Sequence, residues 1–309
     1  MSFSGKMQNS HYYSVFFAPR GRDRIYDLGM QIAQMYLSPY DKLIGIIGEA
    51  GSGKSMIIKG MFPGLELTND DNGVNARPLP ILDQDDCGFF TAHTYHLDIR
   101  FEAAFTQMHM LADAILNAVK NGKRVIVEHF DMIYPFLKTN ADLLIGVGEE
   151  IIINRPTIFG PLPGEIKRIV GKSIVYRRMA HTAEDLCEIY MPEDYLMDCR
   201  HGDIKHGFVL EFSKYPDFDI NKLETDVLEA IRQDIGVSYV DEAHIKIGDI
   251  LHYCTGPRTH MNSTGEVENF RLVKQVFYDP LKNKYMLAGR VGPNSKVEQA
   301  NDFNDLASE

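Results

Sequence analysis

Cysteine is scarce, with four residues in a chain of 309. Cys87, Cys187, Cys199 and Cys254 are too few and too scattered to form a disulfide framework for so long a chain. Free or metal-bound thiols in a reducing compartment fit better. Cys187 and Cys199 lack paired spacing with each other and read as structural. No apolar run approaches the ~18 residues that a bilayer span needs. Residues 1–24 are polar and aromatic and contain no signal-peptide core. The expectation is a cytoplasmic protein with no membrane partner. Positive charge is in deficit as well, since 32 Lys and Arg against 43 Asp and Glu leave a net charge of −11. That balance argues against a surface that coats nucleic acid broadly, and leaves room only for a local basic patch. Internal repeats and low-complexity tracts are absent. What remains is ordinary for a globular chain, 44% hydrophobic and 24% charged. The length suggests about two domains of ~150 residues each.

One stretch organises the first half. Residues 48–55 read GEAGSGKS and fit the pattern Gly-x4-Gly-Lys-Ser. The apolar run Leu43-Ile44-Gly45-Ile46-Ile47 precedes it and suits a buried parallel strand, while Met56-Ile57-Ile58-Lys59 can open a helix. Strand, glycine-rich loop and helix form the context that a phosphate-binding loop requires. Glycines at 48, 51 and 53 let the backbone close around phosphate oxygens, with successive N–H groups and the positive end of the helix facing the anion. Lys54 is expected to reach the β- and γ-phosphates and Ser55 to ligate Mg²⁺. The candidate nucleotide-binding residues are Gly48, Glu49, Ala50, Gly51, Ser52, Gly53, Lys54 and Ser55. The bland alternative is a glycine-rich turn that happens to carry Lys-Ser, against which both flanks speak.

A second core-strand candidate, Val125–Val127, ends in acids, with Glu128 the first choice for a residue that polarises Mg²⁺ or its water and Asp131 the second. Residues 12–17 suggest a strand, 25–36 a helix lying against the sheet, 93–100 a strand and 102–120 a helix. Residues 142–148 and 150–154 would extend a parallel sheet. Asp98 and Arg100 either face a nucleotide or acceptor, or form a surface ion pair. The acids within 68–73 either serve Mg²⁺ or belong to an ordinary surface loop. Pro161-Leu162-Pro163-Gly164 reads as a domain boundary. With these elements, residues 1–165 resemble small P-loop kinases and related NTPases, which implies an α/β domain with a parallel sheet flanked by helices. No guanine-specifying Asn-Lys-x-Asp is present, so ATP is the expected nucleotide. The resemblance also implies a basic lid, for which Arg168, Arg177 and Arg178 are candidates.

The second half carries a different signature. The blocks RRMAHTAEDL from Arg177, HGFVLEFSKYPDF from His206 and IKIGDILHYCTGPRTHMNSTGEVENF from Ile245 occur in this order. Together they resemble the second additional domain of alanyl-tRNA synthetase, a module shared with threonyl-tRNA synthetases and free-standing alanyl-tRNA editing proteins. The likeness covers roughly residues 174–275. It implies an α+β editing-like domain over 166–292, while composition alone marks 293–309 as a polar tail. It also implies a Zn²⁺ site at His181, Asp185, Cys254 and His260. The chemistry of these residues is compatible: His181 and Asp185 are four apart and share a helix face, and sulfur, nitrogen and oxygen donors can surround zinc. Two departures stand out. The family's second helix histidine is Asp185 here, and five residues rather than three separate Cys254 from His260. Both fit either an altered site or a lost one, and His252 is a spare donor. Residues 219–234 read as an amphipathic helix, 237–250 and 269–276 as strands, and 277–289 as a hairpin.

Three functions follow as expectations. One is an ATP-binding protein whose zinc domain hydrolyses the ester of misacylated tRNA or acts on a related aminoacyl substrate. Another is a small-molecule kinase whose second domain grips an amino-acid-like acceptor. The third is a regulatory NTPase in which nucleotide state moves the C-terminal domain.

Overall fold

The protein is described here from a computed structural model covering residues 13–68, 79–82, 90 and 92–293. Cys87, most of the acidic 68–73 segment, and the tail beyond 293 lie outside the described residues. The chain divides into two units. Residues 23–172, with the strand residues before Phe17, form the first; residues 17–22 and those from Ser173 onward form the second.

In the first unit β1 (Tyr13–Phe17), β2 (Leu43–Gly48), β3 (Thr94–Asp98), β4 (Arg124–Glu128), β5 (Leu143–Val147) and β6 (Glu150–Asn154) make one six-stranded sheet in the order β1-β6-β5-β2-β4-β3. The helices are α1 (Arg22–Tyr36), α2 (Lys54–Met61), α3 (Ile99–Glu102), α4 (Met108–Lys120), α5 (Phe130–Leu137) and the start of α6 (Pro163–Tyr190). β2 is buried at every position and lies between β4 and β5, parallel to both. Its unbroken apolar run matches a strand covered on both faces. Gly45 is required there: a Cβ would stand 2.6 Å from the Phe130 ring. β3 is parallel to β4, which brings the ends of β2, β3 and β4 to one side of the sheet.

β6 does not extend the parallel set as the sequence suggests. It runs antiparallel to β5, because the Gly148-Glu149 link is a tight reversal, and a parallel return needs a crossover of about a dozen residues. The helix expected over 102–120 is also divided, with α3 ending at Glu102 and α4 beginning at Met108. α1 and α2 meet backbone to backbone: a Cβ on Gly60 would lie 2.1 Å from the Tyr26 carbonyl, and one on Gly29 would lie 2.5 Å from that of Ile57. A buried fork joins Arg155 to Asp41 at 2.5 and 2.7 Å.

Pro163 opens α6 rather than marking a boundary, and the helix continues for 28 residues. Proline suits a first helical turn, where its missing N–H would be unpaired in any case. The units part within this helix, between Lys172 and Ser173.

The second unit takes the rest of α6, then α7 (Glu193–Leu196), β7 (Arg200–Ile204), β8 (Gly207–Phe212), α8 (Ile220–Arg232), β9 (Val237–Asp241), β10 (His244–Ile247), β11 (Ile250–Tyr253), β12 (Arg271–Leu272), β13 (Phe277–Asp279) and β14 (Lys284–Arg290). An antiparallel sheet is ordered β12-β14-β8-β7, with β13 also on β14. The 237–250 segment is not one strand. It turns after Asp241, whose carboxylate accepts from the Ala243 N–H at 2.8 Å, and again at Gly248, where φ is +58°. The result is the meander β9-β10-β11. Of 269–276, only Arg271–Leu272 pairs as a strand. α8 is capped by Asp219 and buries Leu223, Val227 and Ala230, in a core shared with Ala183, Leu186, Phe208, Leu210 and Leu287. Among the described residues no helix is long and apolar enough to cross a membrane.

Candidate functional site

In the first unit the loop after β2 and the start of α2 converge on Glu128 at the end of β4. Gly51 and Gly53 have φ of +75° and +100°, a backbone conformation that glycine adopts without strain. A Cβ on Gly48 would come within 2.8 Å of both Ser52 Oγ and the Val147 carbonyl. Lys54 is buried and folds back, donating from Nζ to the Glu49 carbonyl at 3.0 Å, with Glu128 Oε2 at 3.6 Å. Ser55 Oγ donates to Glu128 Oε1 at 3.2 Å.

His96, on β3, holds the same carboxylate. The Thr68 N–H donates to His96 Nδ1 at 3.1 Å, which leaves the ring proton on Nε2, 3.2 Å from Glu128 Oε1. Burial pushes the Glu128 carboxyl upward, but the hydrogen bond from His96 together with the Lys54 ammonium outweighs it and brings it down to about 2. Glu128 is therefore ionised at neutral pH. Asp98, Glu128 and His129 each place one donor atom within 4.8 Å of the others, and all three are buried. Asp98 also caps α3 by accepting the Phe101 N–H at 3.1 Å. Burial, followed by Lys54, lowers the pKa of His129 and keeps that ring neutral.

The first unit thus brings Lys54, Ser55 and Glu128 together. Asp131 is not with them; it pairs with Lys167 of α6 at 2.7 Å. It is the second residue of α5, past the strand end that carries Glu128. Asp98 is buried at the end of β3, whereas Arg100 is exposed. Arg177 belongs to the second unit, where it is buried and donates to the Pro19 carbonyl at 3.1 Å. His96 and His129 were missed, because their roles depend on contacts between strands that local pattern does not display.

In the second unit Asp185, Cys254 and His260 gather, each offering a donor atom within 4.8 Å of the others. His260 Nε2 lies 2.9 Å from Asp185 Oδ2 and 3.8 Å from Cys254 Sγ. For zinc with Zn–N and Zn–O near 2.0 Å and Zn–S near 2.3 Å, tetrahedral donors stand about 3.3–3.5 Å apart, and the observed pair of distances brackets that range. The five-residue spacing is absorbed by a turn in which the Thr259 N–H donates to the Gly256 carbonyl at 3.1 Å. The Met261 N–H, donating to Thr182 Oγ1 at 3.0 Å, ties the loop to α6. His181 faces the His260 ring at 6.0 Å between centroids but lies outside this donor set. Burial, Arg20 and Arg177 push its pKa well down, so it is neutral. Its buried Nδ1, like that of His260, has no hydrogen-bond partner among the described residues.

Arg20 completes the cluster, and sequence offered no sign of it. Its guanidinium is buried, bonds Glu184 and Asp185, and lies 3.2 Å from Cys254 Sγ. Burial disfavours the Asp185 carboxylate, but Arg20 and His260 overcome that and keep it ionised. Burial and Asp185 push the Cys254 thiol up to about 12, so zinc ligation would have to displace its proton. His252 does not substitute for His260. It joins a neighbouring set with Asp185 and Glu188, at 3.1 Å from Glu188 Oε2. His201 bridges Glu184 and Glu188 at 2.9 and 3.1 Å.

No protein-family model matches the chain, and no curated protein sequence matches it. Among solved structures it is similar to the ornithine aminotransferase from Toxoplasma gondii ME49, at 9% identity over 82% of this chain and 70% of that one, with a TM-score of 0.24. At that score the likeness carries no argument about fold or chemistry.

Proposed function

We infer that the first unit binds ATP with Mg²⁺ and that the second is a zinc-dependent editing-like unit acting on the ester of misacylated tRNA or a related aminoacyl substrate. The observation that carries the first part is the convergence of the Gly48–Ser55 loop with buried Lys54, Ser55 and an ionised Glu128. Loop N–H groups and the start of α2 would receive phosphate oxygens, and Lys54 would leave the Glu49 carbonyl for the β- and γ-phosphates. Ser55 and Glu128 would hold Mg²⁺ directly or through water, and that ion would neutralise charge on the transferred phosphoryl group. In the second unit Asp185, Cys254 and His260 would hold Zn²⁺, which would supply a Lewis acid for ester hydrolysis. The order of the sequence blocks and the gathered donor set support this part.

The kinase reading is favoured by Asp98, a buried carboxylate at the end of β3 in one donor cluster with Glu128 and His129. Such a group can accept the proton of an acceptor hydroxyl. Titration of the full chain with MgATP tests the nucleotide site. Lys54→Ala should weaken binding at least tenfold while leaving the circular dichroism spectrum unchanged; equal affinity would refute it. ATP consumption that rises with charged tRNA supports the editing reading, and consumption that rises only with a small acceptor supports the kinase.

A further inference from the structure

We propose that Arg20 is the resident cation of the Asp185–Cys254–His260 site and that a divalent metal binds there only as the guanidinium withdraws. The proposal rests on the zinc reading and adds the regulation of that site. One terminal nitrogen of Arg20, Nη2, touches both Asp185 Oδ1 and Cys254 Sγ, the latter at 3.2 Å. Those are two of the three groups that would ligate a metal. A guanidinium and a divalent ion cannot share a buried carboxylate and sulfur at such range without strong repulsion, which the low effective dielectric of a buried site leaves poorly screened.

Arg20 is built into the unit rather than draped over it. Its N–H donates to Asp203 Oδ1 at 3.1 Å, Arg177 donates to the preceding Pro19 carbonyl at 3.1 Å, and Arg22 pairs with Glu242 at 2.5 Å. The side chain also has a second holding point. Its Nη1 is bonded to Glu184 Oε2, which is not among the three metal donors, and His201 holds the other Glu184 oxygen at 2.9 Å. Arg20 can therefore keep Glu184 and give up Asp185 and Cys254. A metal taking its place exchanges one cation for another at Asp185, and the Cys254 thiol proton passes to the buffer as the thiolate–metal bond forms. The metal class is a soft or borderline divalent ion such as Zn²⁺ or Co²⁺, set by the sulfur and imidazole donors.

Cobalt(II) titration of the full chain tests this, because a thiolate–cobalt bond gives a charge-transfer absorption that reports ligation by Cys254. Arg20→Gln should bind Co²⁺ at least tenfold more tightly than the unsubstituted protein, with Arg20→Lys, which keeps the charge but loses the fork, between them. Equal affinity in all three, with the charge-transfer band present, overturns the exchange while leaving the metal site standing. Absence of the band in all three overturns the metal reading, and the exchange with it. A measurement on the unsubstituted protein covers variants that fail to fold. The Arg20 side-chain protons, observed by NMR on ¹⁵N-arginine-labelled protein, should exchange slowly with solvent without zinc and faster with it. Unchanged exchange at saturating zinc overturns the proposal.

Discussion

Replacing Glu128 with glutamine removes one buried charge and should flatten part of the protein's acid response. The carboxyl lies near 2 in the folded protein against an ordinary 4.5. Folding therefore favours its ionised form, so its contribution is complete above about pH 4.5 and disappears as pH falls toward 2. At about 1.4 kcal/mol per unit, the depression contributes about 3 kcal/mol at neutral pH, of which about 2 kcal/mol is gone by pH 3. Glu128 is 3% exposed, so solvent screening takes little from this figure. Urea denaturation of wild type and Glu128→Gln from pH 7 to pH 3 gives the test. Other acids titrate in both proteins and cancel in the difference. The transition compared is the one that the substitution moves, because two units need not unfold together. The gap between the two proteins should shrink by about 2 kcal/mol across that range. A gap that stays constant would show that His96 and Lys54 do not hold the carboxylate as their distances imply.

Gly48→Ala should cost about 1–3 kcal/mol of stability and weaken MgATP binding, because the new Cβ meets the Val147 carbonyl at 2.8 Å and backbone cannot yield as a side chain can; thermal denaturation with and without nucleotide reads both effects. Asp41→Ala should cost about 3–5 kcal/mol by leaving the buried Arg155 guanidinium without its carboxylate. The double variant Asp41→Leu with Arg155→Met should recover most of that loss in the same denaturation assay.

The parts that sequence made legible are those whose cause is local. The apolar run 43–47 shows β2, the glycines and Lys54 show the loop, and the acid closing Val125–Val127 shows Glu128. Helical spacing likewise marks α8. The direction of β6 was within reach, since two residues between strands can only reverse the chain, but an apolar run carries no arrow. Pro163 reads as an interruption in the sequence because proline looks the same at the first turn of a helix as it does between domains. His96 was invisible for a different reason: its role needs Thr68 on one side and Glu128 on the other. Arg20 is the extreme case. It lies 164 residues from Glu184 and 234 from Cys254, and one arginine of the Arg20-Gly21-Arg22-Asp23-Arg24 run carries no pattern that links it to a cysteine loop.

The backbone contact between Gly29 and Gly60 has a mechanical consequence. Two helices separated by side chains can slide as those side chains change rotamer, whereas two that touch through their main chains have no such slack. Lys54 and Ser55 stand at the first turn of α2, so a shift of α1 reaches both almost undiminished. A methyl group at either glycine would act as a wedge, and its effect would be felt some ten ångströms away, at the first turn of α2.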